Sequence, residues 1–195
     1  MATESDYRLD KLVYLFRTQA KSSSYVESIC GTRYNNDGVM AVTRAAEAKR
    51  SPALIETFPW TMHFQGPHFV KYIVEAAHAA SVPIGVHLDH RMDPAEVEQV
   101  LKLPMDSIMF DVSRLEPEEN IEYCRKITEK AKAKGITVEA EMGRISDGED
   151  GIPDASHLEE ILTDPQHAEE FTRRTGVHFL APSSGNILGS SGKAH

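Results

Sequence analysis

Acidic and imidazole side chains stand at or near the ends of three short apolar stretches in the middle of the chain. These side chains belong to Asp89, His90, Asp111, Glu139 and Glu141. Carboxylate oxygens and imidazole nitrogens are ligands for divalent metal ions, and they also carry protons in catalysis. If the three stretches are neighbouring strands, the pattern predicts a metal-assisted site where the strands end.

The segment 86–90 ends the first of these stretches. Strand alternation sends His87 and Asp89 to one face and Leu88 and His90 to the other, until the strand bends into its loop. Such a bend could bring Asp89 and His90 together as a metal ligand beside a proton carrier. The alternative is a solvated loop with a satisfied histidine.

The next two stretches carry carboxylates that are costly to bury without a partner. Asp111 either holds a cation or caps the turn that follows its strand. Glu139 and Glu141 share one face at period two, so they repel each other unless a cation or Arg144 lies between them. Acidic or imidazole groups on three successive strands favour the metal interpretation.

Residues 145–153 form an acidic, glycine-rich segment, which predicts a mobile loop over the site. Glu149 could be a base delivered by loop closure, or it could belong to a solvated acidic turn. The remaining histidines lack ligand-like spacing with carboxylates and are interpreted as structural or surface residues; they are His63, His68, His78, His87, His157, His167, His178 and His195.

The elements that must position these residues alternate regularly. A first helix is predicted over residues 7–20, followed by alternating apolar runs and amphipathic stretches. The predicted strands are 26–34, 53–58, 84–88, 107–112, 137–142 and 178–181, and the predicted helices between them are about 37–49, 67–80, 94–103, 117–133 and 164–174. Asp93 and Asp164 precede prolines as helix N-caps, and Gly135 and Gly176 end helices.

This alternation implies a parallel sheet with right-handed crossovers, either doubly wound or closed into a (β/α)8 barrel. No Gly-x-Gly-x-x-Gly follows the first strand, which weakens the dinucleotide-binding version. We therefore predict an α/β fold of the TIM (β/α)8 barrel type as one domain over residues 1–195. The barrel is apparently incomplete, with about six strands and the C-terminal strands missing, so its edges are free.

The composition of the chain limits the classes of partner and the cellular location that we expect. The chain has 195 residues and a net charge of −9, which argues against nucleic acid, since phosphate backbones need a basic face. No apolar run approaches the roughly 20 residues of a membrane span, and the polar N-terminus does not resemble a signal peptide. Cys30 and Cys124 form no disulfide framework, which predicts a cytoplasmic protein.

In order and spacing, the motifs resemble those of the class II, metal-dependent ketose-bisphosphate aldolases of the fructose- and tagatose-bisphosphate type. The resemblance runs from about residue 7 to Gly189. It rests on the segments 34–38, 87–90, 107–111, 138–143, 162–165 and 175–177, which read YNNDG, HLDH, SIMFD, VEAEMG, LTDP and TGV.

The resemblance implies a role for each candidate residue. His90 matches a zinc ligand, Asp89 the acid/base at the C4 hydroxyl, and Glu149 the loop glutamate that moves a proton at C3. Asp111 and Glu141 match positions that can hold a second or alternative divalent metal, and Gly189 a substrate-binding position. The implied reaction is Zn²⁺-dependent cleavage of a ketose 1,6-bisphosphate, a small sugar phosphate, to dihydroxyacetone phosphate and glyceraldehyde 3-phosphate.

The sequence departs from the family pattern at two of the three expected histidine ligands, because the third belongs to the missing C-terminal strands. The family has histidine in a Gly-Asn-x-His-Gly run, whereas this chain has Leu188, and leucine cannot bind zinc. An alternative is therefore an impaired or truncated relative that binds sugar phosphate or a partner without turnover. A remnant without independent function is a third reading, in which free edges pair in a homodimer.

Overall fold

The computed structural model describes residues 30–32, 35–89, 94–112, 115–142 and 163–182. In these residues six strands alternate with helices. The strands are β1 Cys30–Thr32, β2 Ala53–Thr57, β3 Ile84–Leu88, β4 Ser107–Phe110, β5 Thr137–Met142 and β6 Phe179–Pro182. The helices are α1 Asn36–Lys49, α2 Pro59–Gln65, α3 Pro67–His78, α4 Pro94–Val100, α5 Pro117–Lys132 and α6 Pro165–Thr175.

All strand pairs are parallel, and the strands lie in the order β1-β2-β3-β4-β5-β6. A doubly wound sheet reverses its strand order at a switch point, whereas a (β/α)8 barrel adds each strand beside the previous one. The sequential order therefore confirms the predicted α/β fold class. A closed barrel of this type has eight strands, of which the described residues form six.

The two faces of the sheet carry different residue types. Alternate strand residues pack with the helices into one apolar core; they include Ala53, Ile55, Ile84, Val86, Leu88, Ile108, Phe110, Val138 and Ala140. Period-two alternation puts the residues between them on the opposite face, which we call the inner face. Its members in β2–β5 are Leu54, Glu56, Gly85, His87, Ser107, Met109, Thr137, Glu139 and Glu141.

Local signals in the sequence explain where several helices begin and end. The Asn35 side chain accepts a hydrogen bond from the Gly38 N–H at 2.9 Å, which caps α1. Asp164 caps α6 as predicted, since its Oδ1 accepts from the N–H groups of Gln166 and His167 at 2.9 Å. Gly176 ends α6 with φ of 67°, a left-handed conformation that glycine adopts without steric cost.

Two helices differ from the prediction. The segment Pro59–Gln65, for which no helix is predicted, forms α2, whose first helical position is a proline. Helix α4 ends at Val100, three residues before its predicted end at 103. The predicted helix 7–20 and the Asp93 cap lie outside the described residues. No helix in the described part is long and apolar enough to cross a membrane.

Replacing Phe110 with alanine tests the outward core. Phe110 is fully buried and meets Tyr123 of α5 edge-to-face at 6.1 Å between ring centroids. We expect Phe110→Ala to lower the free energy of unfolding by about 3–5 kcal/mol through the cavity it leaves. Phe64, which is 87% exposed, is the matched control: Phe64→Ala is expected to stay within about 0.5 kcal/mol. Urea unfolding measures both, and equal losses would contradict this core.

Candidate active site

Three of the predicted site residues lie at the C-terminal ends of adjacent strands. Asp89 directly follows β3, Asp111 directly follows β4, and Glu141 is the second-last residue of β5. Glu141 is only 6% exposed, while Asp89 and Asp111 are half-buried. The parallel order β3-β4-β5 thus brings three carboxylate-bearing residues to one edge of the sheet, as the sequence predicted.

Asp89 is held in place by the ladder of its own strand. Its backbone N–H donates to the carbonyl of Thr57 at 2.8 Å, so pairing with β2 continues one residue past β3. The Thr57 hydroxyl donates to the carbonyl of His87 at 3.2 Å and reinforces the same seam. These bonds fix the backbone from which the Asp89 carboxyl projects.

The negative charge of Asp111 affects the pKa of a cysteine in α5, on the helix side of the sheet. Burial, assisted by the negative charge of Asp111, raises the pKa of the Cys124 thiol to about 12. Cys124 is a buried, free cysteine in α5 that donates to Asn120 Oδ1 at 3.0 Å. The strand end that carries Asp111 therefore lies close enough to α5 for its charge to act there.

Thr163, the first described residue after β5, contacts the end of that strand. The Thr163 hydroxyl donates to the carbonyl of Met142, the last residue of β5, at 2.8 Å. Residues 143–162, which separate Met142 from Thr163 in the sequence, include Glu149. Glu149 itself lies outside the described residues, as do His90, Gly189 and Leu188.

His87 was predicted to be structural or on the surface, and the structure places it on the inner face with two polar neighbours. Its Nδ1 lies 2.7 Å from the hydroxyl of Ser107, and its Nε2 lies 3.7 Å from Oε2 of Glu139. The His87 side chain is 3% exposed, and that of Glu139 is 26% exposed. Period two from Asp89 predicted the inward direction of His87, but single-strand spacing could not show these cross-strand neighbours.

The Ser107, His87 and Glu139 trio combines the residue types of a nucleophile, a base and an acid. A nucleophile must reach its substrate, however, and Ser107 is 0% exposed at the first residue of β4. Ser107 therefore lies at the start of β4 and not at the C-terminal strand ends, where the candidate site is. The trio is therefore a buried polar network and not a catalytic triad.

We call the C-terminal ends of β3, β4 and β5, with Asp89, Asp111 and Glu141, the rim. The carboxylates at the rim provide the hard oxygen donors that divalent cations accept. Within the described ranges, however, no group of three or more His, Cys, Asp or Glu residues is arranged to hold a metal ion. The donor chemistry fits a cation, but a complete site needs at least one ligand from beyond these ranges. His90, adjacent to Asp89, is the predicted one.

A surface cleft of about 860 Å³ lies at the other end of the sheet. Its walls include His78 at the end of α3, Asp106 just before β4, and Gly135 just before β5. Functional residues of (β/α)8 barrels gather where the strands end, not where they begin. The cleft is thus separate from the candidate site.

Comparison with known proteins identifies the family. Residues 17–195 match the model of the family described as "Fructose-bisphosphate aldolase class-II". Since this match covers most of the 195 residues, the chain belongs to the class II fructose-bisphosphate aldolase family. The resemblance inferred from the motifs is confirmed.

Individual relatives agree with this assignment. A Coccidioides immitis protein, provisionally named fructose-bisphosphate aldolase, is 42% identical over 184 residues, which span 90% of this chain and 60% of that protein. The fructose-bisphosphate aldolase of Streptococcus pneumoniae is 37% identical over 180 residues, spanning 89% of this chain and 58% of that protein. The chain therefore spans about 60% of the length of these relatives.

Solved structures show the same fold. The crystal structure of the Coccidioides immitis protein superposes with a TM-score of 0.80 at 41% identity, covering 97% of this chain and 64% of that one. The YdjI aldolase of Escherichia coli K12 gives 0.68 at 28% identity, covering 86% and 61% respectively. These neighbours support the α/β barrel fold class in which the described sheet is an incomplete barrel.

The raised pKa of Cys124 makes a testable prediction about this region. At pH 8, a thiol of pKa about 12 is ionised about a thousandfold less than a thiol with the ordinary pKa of 9.0. In a Cys30→Ser background, we expect native Cys124 to react with iodoacetamide far more slowly than after unfolding in urea. Labelling is followed by mass spectrometry across pH 7–10; rapid native labelling would contradict the buried position.

Proposed function

We propose that this chain carries out the Zn²⁺-dependent aldol cleavage and condensation of a ketose 1,6-bisphosphate. The observation that supports this proposal is the set of carboxylates of Asp89, Asp111 and Glu141 at one edge of the sheet, in a member of the class II aldolase family. The products of cleavage are dihydroxyacetone phosphate and glyceraldehyde 3-phosphate. Because the chain spans only part of its relatives' length, the activity remains a proposal.

The proposed role of each residue follows from its chemistry. His90, Asp111 and Glu141 are the residues that would hold a Zn²⁺, and such an ion would supply Lewis-acid polarisation of the ketose carbonyl. Asp89 takes the proton from the C4 hydroxyl as the C3–C4 bond breaks and returns it during condensation. Glu149 moves the proton at C3 of dihydroxyacetone phosphate, and Gly189 contacts the substrate.

The inner face also favours metal assistance over a Schiff base. A Schiff-base aldolase needs a lysine whose amine reaches the substrate carbonyl. The inner-face residues of β2–β5 include no lysine, whereas they include the carboxylates of Glu56, Glu139 and Glu141. Within this part of the sheet, the available chemistry is therefore that of metal ligands and proton carriers.

The remaining expectations concern partners and location. We propose a small sugar phosphate as the ligand, no nucleic acid partner and a cytoplasmic location, with a homodimer as the expected assembly if strand edges pair. The net charge of −9 supports the absence of a nucleic acid partner. The free, buried Cys124 supports the cytoplasmic location. A second divalent ion beside the catalytic one is a further proposal.

The Asp89→Ala variant tests the proton transfer. We expect kcat for metal-dependent triose phosphate release to fall about 10²–10⁴-fold, because a positioned general acid/base is lost. Glu129→Gln on the exposed surface of α5 is the control and is expected to keep wild-type activity. A coupled assay of triose phosphate measures both, with and without a chelator. Wild-type protein that holds no metal and shows no turnover would refute the proposed reaction and favour the non-catalytic alternative.

The proposed metal ligands are tested by binding rather than activity. Asp111→Asn and Glu141→Gln keep side-chain size but remove the charge that attracts a cation. We expect each to weaken Zn²⁺ binding at least tenfold, measured by calorimetry against a competing chelator. Glu122→Gln, on α5 and away from the rim, is the matched control. Unchanged affinity in both rim variants would remove these residues from the metal site.

A further inference from the structure

We propose that His87, fixed by Ser107, is a positioning residue that sets the separation between Asp89 and Glu141 through its contact with Glu139. The inference rests on the proposed function, because it concerns how that site is held in shape. Four observations carry it: the two contacts of His87, its burial, the spacing along β3 and β5, and the short ladder between β3 and β4.

The two contacts orient the His87 ring, and the donor in the hydrogen bond to Ser107 depends on the ring tautomer. The Ser107 hydroxyl can donate to Nδ1 across 2.7 Å, which leaves the ring proton on Nε2. Nε2 then faces Oε2 of Glu139 at 3.7 Å, which is an electrostatic contact too long for a direct hydrogen bond. Ser107 therefore orients the ring, and the ring orients the carboxylate of Glu139.

The spacing links this contact to the rim. Asp89 is two residues beyond His87, and Glu141 is two residues beyond Glu139, so each pair shares a face and is separated by about 6.6 Å along its strand. Inside a (β/α)8 barrel, inward side chains of alternate strands form layers. The His87–Glu139 contact, which joins β3 to β5, thus lies one layer below Asp89 and Glu141.

The ladder between β3 and β4 has fewer register pairs than the ladder between β2 and β3. β3 pairs with β2 along its whole length, but its register pairs with β4 are only His87 with Ser107 and Leu88 with Ile108. At the start of the seam, Asp106 Oδ2 accepts from the Val86 N–H at 2.8 Å. The His87–Ser107 hydrogen bond joins the same two strands by their side chains at the last register pairs before the rim.

Burial separates this role from direct catalysis. The His87 side chain is 3% exposed, so a ketose bisphosphate at the rim does not touch it. A group that acts only through the positions of others changes kcat and cation affinity, while the substrate's own contacts and KM stay the same. Losses of supporting residues around metal ligands typically cost 10–100-fold.

The test compares variants at position 87 in the intact protein. His87→Asn keeps a polar group near Ser107 but cannot reach Glu139, whereas His87→Gln places a carboxamide N–H nearer to it. We expect His87→Asn to lower kcat and Zn²⁺ affinity by about 10–100-fold each with KM changed less than twofold, and His87→Gln to recover most of both. Glu139→Gln combined with His87→Asn should cost less than the sum of the single changes, since the two residues act through one contact.

His78 offers a matched control. Its Nε2 lies 3.1 Å from both carboxylate oxygens of Asp106, a half-buried histidine–carboxylate pair at the opposite end of the sheet. His78→Asn should lower the melting temperature while leaving Zn²⁺ affinity and kcat unchanged.

The outcomes separate the two proposals. If the wild type is active and His87→Asn loses only thermal stability, as His78→Asn does, the positioning role is wrong and the proposed function stands. Equal losses in His87→Asn and His87→Gln would also overturn it, because contact with Glu139 would then be irrelevant. If the wild type neither binds Zn²⁺ nor cleaves the sugar bisphosphate, the proposed function fails first and the inference falls with it.

Discussion

The parallel register of β3, β4 and β5 is the constraint on which the candidate site depends. Because side chains alternate at period two, a shift of one residue in any of these strands would exchange its core face for its inner face. Ile108 and Phe110 would then leave the core, and Ser107 would turn away from His87. The apolar packing that stabilises the fold therefore also selects which polar side chains face inward.

This arrangement divides stability and chemistry between the two faces. The outward face buries Ile55, Val86 and Phe110 completely against helices, and burial of such side chains contributes roughly 1.5–3 kcal/mol each. The ion pairs on the helix surfaces, such as Arg174 with Glu118 and Lys130 with Glu98, contribute little because water screens exposed charges. The inner face, which carries Glu139 and Glu141, adds cost rather than stability unless its charges find partners.

Much of this division could be predicted from sequence, because it follows from local patterns. Apolar runs gave five strands near their observed bounds, and Asp164 and Gly176 marked the ends of α6. Helix α2 was not predicted because it has no side-chain cap, so only Pro59 indicated its start. The positions of Asp89, Asp111 and Glu141 at or near the ends of three predicted strands indicated that these residues lie at the same end of the sheet.

What sequence could not predict is contact between residues distant in the chain. His87 lacked ligand-like spacing, and its partners Ser107 and Glu139 are brought to it only by the register of three strands. Arg144 was the sequence candidate for neutralising the paired glutamates, but it lies outside the described residues, and for Glu139 the structure shows an imidazole instead. His90, Glu149 and Gly189 also lie outside the described residues, so their roles remain predictions.

The polar layer beneath the rim explains how an acidic inner face can be tolerated in a packed sheet. A carboxylate below the rim requires a donor or a cation, and His87 places Nε2 toward Glu139. The hydroxyl of Ser107 meets the other ring nitrogen, so both nitrogens of a nearly buried ring have partners. Asp89, Asp111 and Glu141 lie above this layer, at the C-terminal ends of their strands. The inner face thus combines a polar network with buried apolar side chains such as Leu54 and Met109.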